Sequence, residues 1–514
     1  MIVIIKTHPT FKFALIFSAF FLRGFLFSQN NVLELLPGSE KIIYDEKSKK
    51  HRLIGSVNFI YQGNTMYCDS AHYQEKEKIV HAYGKVQIRK NDINLFCDSM
   101  YYNGSQKYAK LWGHVRVRDQ EYKITSDSMD YDAKNSKAIY RNQGQVESIV
   151  SDEIITSKVG YFFPKTGSFF FSQKVAYRKK DLTMTTDTLQ FSYEKQTVYF
   201  FGPTKVINDS ITIFCKNGWY HVNKNEATLY NKAEIIQKTN IIRGDTIYYN
   251  KPRQIFKGTG NVFIKDLKQN LIFLGNKGFA NDSLHTAHLC GKAVSVKLQE
   301  KDTVYVFADS LILKKDSLNQ LEVIFAHAKV QIFQNKLEAI SDSAEYRPKI
   351  KLLKLRSNPI VWSENAELKG EKMDITLNDS IIEKIEISGK TSALMELDSG
   401  IFYNQLSGRE MIAWLKNNEL VRVDLLGNAW TILYPEEEEN KDSLISNKRM
   451  GLNRIFASKL KVYLDSGEVR GITYYDKPDG IFFPMDQIKP EEQFIKNFVW
   501  NAALRPKNSF VFSD

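Results

Sequence analysis

Three sets of residues in this chain could do chemistry by type and spacing. The first pairs a carboxylate with a hydroxyl: Asp69-Ser70, Asp98-Ser99 and Asp127-Ser128 each put a base beside a candidate nucleophile. One active site needs such a pair once. Here the pair returns along the chain, so it reads as a corner whose side-chain oxygens accept nearby backbone N–H groups. The second set is His285-Thr286-Ala287-His288-Leu289-Cys290, whose imidazoles and thiol suit a metal but have no fourth partner nearby; it reads as a polar turn. The third is a column of rings, Tyr73, Tyr102, Tyr131, Phe162, Phe191, Tyr220 and Tyr249, able to stack on single-stranded nucleic acid or to line an apolar interior. The sequence holds no phosphate-binding glycine loop, nucleophile elbow or zincin helix. The expectation is a protein that is not an enzyme and has no catalytic residue, metal or cofactor.

The elements that position these residues repeat about every 29 residues. Met66-Tyr67-Cys68-Asp69-Ser70-Ala71-His72-Tyr73 is answered by Leu95-Phe96-Cys97-Asp98-Ser99-Met100-Tyr101-Tyr102 and by Ile124-Thr125-Ser126-Asp127-Ser128-Met129-Asp130-Tyr131. Further copies centre on Asp187, Asp245, Asp309 and Asp342, with degenerate ones at Lys158, Lys216 and Asn276. A fixed period of this kind means stacked copies of one supersecondary unit. Taking the Asp as zero, positions −3 and −1 are apolar or small, and positions +2 and +4 are apolar or aromatic. A straight strand keeps one parity, so a bend or bulge is expected at the Asp-Ser pair. About fifteen residues on comes a second strand marked by Gly-x-Val, as in Gly84-Lys85-Val86 and Gly113-His114-Val115. Each repeat is thus two strands, and one strand per repeat is expected in each of two facing sheets.

Position −1 holds Cys68, Cys97 and Cys215 in three copies and Ser126, Thr186 or Ala308 in others, so it demands low volume. A Cys68–Cys97 disulfide between stacked copies would suit an oxidising compartment. Lys6 and Lys12 before the apolar run Phe13 to Phe27, with Ser28 after it, read as a signal peptide over residues 1–28. Residues 29–434 form the expected repeat domain, 435–447 a charged loop containing Glu436 to Glu439, and 448–514 final strands with a capping or docking segment. The formal net charge of +12 fits either plain solubility or affinity for anionic surfaces.

The recurring small-Asp-Ser-apolar-x-Tyr phrase followed by Gly-x-Val resembles the OstA/LptA family, from Gly55 to roughly Gly427. It is similar above all to the long OstA-like proteins of Bacteroidetes-type bacteria. The resemblance implies an all-β, elongated, open-ended β-jellyroll or solenoid whose apolar groove holds the acyl chains of lipopolysaccharide. It also implies a periplasmic protein near the outer membrane, pairing strand edges with other Lpt-type proteins or with copies of itself.

On that footing Tyr73, Met100, Tyr102, Met129, Tyr131, Leu189, Phe191 and Tyr249 are the expected groove lining. Lipopolysaccharide or lipid A is the expected ligand, and nucleic acid is not expected. The alternative is a non-catalytic structural β-repeat scaffold of the envelope with a packed interior. An outer-membrane barrel fits less well, because its strands alternate without a corner.

Overall fold

The computed structural model describes residues 34–436 and 449–507, apart from turn positions 62–63, 91–92, 119, 121, 133, 151, 164–165, 167, 193, 222, 282, 299–302, 319, 335, 379–380, 418, 467 and 497. The expected signal peptide and nearly all of the charged loop lie outside the described residues. What is described is all-β, antiparallel strands joined by tight turns, with only single-turn 3-10 segments besides. No helix among the described residues is long and apolar enough to cross a membrane. The chain divides into two compact units, residues 2–258 and 259–514, and the repeat runs through both.

In the N-terminal unit each long strand pairs with the next on both sides of an irregularity. Strand Ile79–Lys90 meets Ile93–Asn103 at Val80↔Tyr102 and Tyr83↔Ser99, and again from Val86↔Cys97 to Lys90↔Ile93. Between those stretches two residues, Gly84 and Lys85, oppose the single residue Asp98. The extra residue therefore sits on the glycine strand, one strand away from the Asp-Ser pair where the sequence suggested the bulge. Gly84 (φ 71°) and Lys85 (φ 46°) are both left-handed, as are Gly113 and His114. Glycine is the residue that enters that conformation at least cost.

The parity change is as expected. Met66 and Cys68 are buried before the corner and Ala71 after it, while Asp69 stays exposed. Because the long strands bend and pair through both halves, each repeat contributes two strands to each half, not one. In one stretch of this unit the corner is a complete break, and residues 352–378 of the C-terminal unit show a second one. Lys137–Tyr140 and Gly144–Ser148 replace one bent strand, and Glu153–Ser157 and Val159–Phe163 replace the next.

Stacking does not join Cys68 to Cys97. They stand on strands Asn64–Gln74 and Ile93–Asn103, with Ile79–Lys90 between them, and both are free thiols. Two strand spacings, about 9.6 Å, exceed the roughly 4.4–6.8 Å Cα separation a disulfide spans.

The C-terminal unit repeats the ladder over one continuous core that includes Leu311, Leu355, Ile385, Met411, Leu425 and Leu460. Its chain then turns back. Residues 485–505 lie over the outward side of the strands rather than extending the ladder. Glu338, Trp362, Glu367, Leu394, Gln405, Ile432 and Arg454 form one cross-strand row, of the parity opposite to the core. The returning segment meets this row residue by residue. Glu492 pairs with Arg454, and the Ile495 amide donates to Gln405 Oε1 at 2.9 Å. Asn501 donates its backbone N–H and its Nδ2 to Glu367 at 2.9 and 2.6 Å, and Arg505 reaches Glu338 at 2.7 Å. Ile495 closes a second, separate apolar cluster with Leu394, Ile432, Tyr434 and Leu452.

Candidate binding interior

The inward side chains of the N-terminal unit fall into rows that cross strand after strand. One row begins Phe59, Met66, Ile88, Leu95, Val117, Ile124, and continues without a polar interruption to Ile242. Beyond the corner, Tyr73, Val80, Tyr102, Ala109, Tyr131 and Ala138 form a second row. That row goes on through Phe162, Phe169, Phe191, Val198, Tyr220, Ala227 and Tyr249. Rings stand mostly on the Asp strands and small residues on the glycine strands. Rows crossing the strands leave furrows parallel to the stack, the direction in which a flexible apolar chain could lie along many repeats.

The structure places all eight expected lining residues on this inner side. Tyr73, Tyr102, Tyr131, Phe191 and Tyr249 share the ring row, while Met100, Met129 and Leu189 stand two residues nearer the corner. Met100 (5% exposed), Met129, Leu189 and Phe191 are buried, and the four tyrosines are half-buried. Burial pushes the Tyr131 hydroxyl above its ordinary pKa. The lining thus changes character along the row, from hydroxyl-tipped rings to a closed hydrocarbon centre.

That centre is built by residues the repeat did not single out. Phe169 and Phe171 pack edge-on against Phe162, with ring centroids at 5.7 and 6.0 Å, and Phe191 lies 6.1 Å from Phe169. Tyr140 fills the space beside two glycines. A Cβ on Gly144 would fall 2.6 Å from its ring, and one on Gly160 would also collide with it. Its hydroxyl and Ser157 Oγ are 2.7 Å apart. The sequence signals were Gly160, a glycine without a Gly-x-Val phrase, and the Phe169-Phe170-Phe171 run.

At the other margin, strand ends bring buried Tyr122, Ser148, Glu153 and Tyr177 together with Lys179, which forms an ion pair with Glu153. A carboxylate so buried needs that partner. Burial first, and Glu153 second, drive the Tyr177 hydroxyl far above its ordinary pKa.

Nothing in this interior is primed for covalent chemistry. Burial pushes the Cys68 and Cys97 thiols up to about 12, so neither offers a thiolate near neutral pH. Among the described residues no three His, Cys, Asp or Glu side chains converge on a metal position. The arrangement is suited to burying apolar surface.

Comparison with known proteins locates the resemblance. Residues 35–187 match the family model described as OstA-like protein, a segment wholly inside the N-terminal unit. Among solved structures, LptH from Pseudomonas aeruginosa is 16% identical, with 24% of this chain and 84% of that one covered and a TM-score of 0.20. LptH is described as the LptA homologous periplasmic component of the conserved lipopolysaccharide transport device. No curated protein matches this chain.

Proposed function

From an OstA-like N-terminal unit with a continuous apolar interior, we propose a periplasmic lipid-handling protein of the lipopolysaccharide-transport type. Residues 1–28 export it, and the inward rows hold lipopolysaccharide acyl chains without catalysis. Tyr73, Met100, Tyr102, Met129, Tyr131, Leu189, Phe191 and Tyr249 line the path. The observation that carries this reading is the unbroken run of inward apolar rows from Phe59 to Ile242 and from Tyr73 to Tyr249, long enough to follow an extended acyl chain. The family match, and the description of LptH, support the choice of lipid. Other Lpt-type proteins join by strand pairing. In support, the outer strand Lys41–Asp45 presents exposed Ile42, Ile43 and Tyr44 and pairs on one side with Lys50–Tyr61.

A scaffold with a packed interior is favoured by one observation, the close ring packing of Phe162, Phe169 and Phe171. Photo-crosslinking separates the two readings. A photoreactive residue at Met100 or Tyr131, activated in living cells, should give a lipid adduct if the interior is a carrier. A packed scaffold gives none at either position.

A further inference from the structure

In the C-terminal unit, the outward row that the returning segment covers runs on past the contact of Arg505. The segment meets the row in order: Glu492 on Arg454, Ile495 on Gln405, Asn501 on Glu367 and Arg505 on Glu338. Beyond Glu338 the row continues through Phe333, Tyr305, Val296 and Ile272, one strand at a time. Its character changes there. From Arg454 to Glu338, polar residues that bond to the segment alternate with apolar ones. The next four are three hydrocarbon side chains and a tyrosine. Ile272 and Val296, with Val294, centre an apolar cluster separate from the core, and Leu274, Leu298 and Phe307 pack against it.

This cluster lies on the side of the strands opposite to the core, because Phe273 and Ile332, next in sequence to Ile272 and Phe333, belong to the core. Side chains at that place in the repeat are elsewhere more open. In the first strands of the N-terminal unit they are Thr65, Arg89, Asn94, Arg118 and Lys123. Of the isoleucines there, Ile207 is 39% exposed and Ile154, Ile236 and Ile241 are half-buried. Ile272 and Val296 are 0% exposed, as is Trp362 in the part of the row that the returning segment covers. Closure of this outward row and its apolar character go together.

We propose that the chain's own residues 508–514 continue the returning segment over this row and seat Phe510 and Phe512 on it. After Arg505 the sequence reads Pro506-Lys507-Asn508-Ser509 and then Phe510-Val511-Phe512. The direction is set, because each successive contact of the segment lies further along the row toward Ile272. The reach suffices: three strand steps from Glu338 to Val296 span about 14 Å, and five extended residues from Arg505 to Phe510 cover about 17 Å. Two residues more bring Phe512 to Ile272. Alternate side chains of an extended chain face the same way, which puts Phe510 and Phe512 together on the cluster. The row from Phe333 to Ile272 carries no formal charge, so it does not select a phosphate or an acidic peptide. A tethered segment also docks without the loss of free translation that a separate partner incurs.

The test places the photoreactive residue benzoylphenylalanine at Phe510 of the full chain. An equal mixture of isotopically light and heavy protein is irradiated and the cross-linked peptides are mapped by mass spectrometry. The expected result is one dominant cross-link, to the peptides carrying Val294, Val296 or Tyr305, with both peptides of the same isotope label. Phe512→Ser should lower its yield severalfold, while Phe512→Leu should keep it. Position 512 lies outside the strand ladder, so both variants fold, which circular dichroism checks. A dominant cross-link of mixed label would assign the row to a second copy of the chain. Lipid adducts in place of peptide cross-links, with phospholipid vesicles present, would assign Phe510 to a membrane. Either overturns the proposal, as does cross-linking that misses this row or is indifferent to Phe512→Ser.

Discussion

The carboxylate of Asp98 lies against Gly113 on the neighbouring strand: a Cβ on that glycine would collide with Asp98 Oδ2. The next residue, His114, reaches the same oxygen through Nδ1 at 2.7 Å. Asp69 with Gly84 and Asp187 with Gly202 repeat the arrangement. The two motifs of the repeat are thus the two sides of one corner, one supplying the left-handed bulge and the other the side chain over it.

Gly113→Ala should therefore cost more than its backbone strain alone. A left-handed alanine costs about 1–2 kcal/mol, and the clash with Asp98 adds to that. Asp98→Ala in the same chain should restore part of the loss, because it removes the clash but not the strain. Urea unfolding of the two single variants and the double variant measures the coupling; simple additivity would mean that the two residues do not meet.

The returning segment of the C-terminal unit should depend on one buried carboxylate. Glu367 is 0% exposed and accepts from Trp362 Nε1 as well as from Asn501. Asn501→Ala leaves Glu367 Oε1 without its side-chain donor, at a cost of about 1–3 kcal/mol. Hydrogen exchange should then speed up at the amides of Ile495 and Asn501 while the Met411 and Leu425 amides keep their protection. Unchanged exchange at Ile495 would mean that this contact does not hold the segment.

Cys68 and Cys97 should resist alkylation in the native protein at pH 8 and react fully once it is unfolded, with or without reductant. Their thiols are raised from 9.0 to about 12 by burial. A thiolate forms more easily in the unfolded chain, so the stability linked to each thiol is complete below pH 9 and is lost as pH rises toward 12. Mass spectrometry of the alkylated chain counts the free thiols directly, and native modification at pH 8 would refute their burial.

How much of this was legible follows from where each signal sits. The all-β repeat and the inward positions could be read because Asp, Gly and the ring column recur in phase. The strand bearing the extra residue could not, since a change of parity at Asp98 looks the same whether the bulge is there or opposite, at Gly84-Lys85. The break between Tyr140 and Gly144 was hidden because Lys158 replaces the Asp and Gln143 takes the left-handed position. Phe169 and Phe171 escaped because the lining was inferred from the Asp strands alone. The bonds from Asn501 to Glu367 and from Arg505 to Glu338 span 134 and 167 positions, a separation at which periodicity is silent.

The central claim, an interior that holds lipid, is tested most directly by native mass spectrometry of the mature protein purified from its own envelope. The account predicts a population carrying the added mass of lipopolysaccharide or a lipid A-type molecule, diminished when Met100 and Met129 are replaced by charged residues in a chain that still folds. A mass equal to the bare polypeptide, unchanged after lipid is added back, would contradict it.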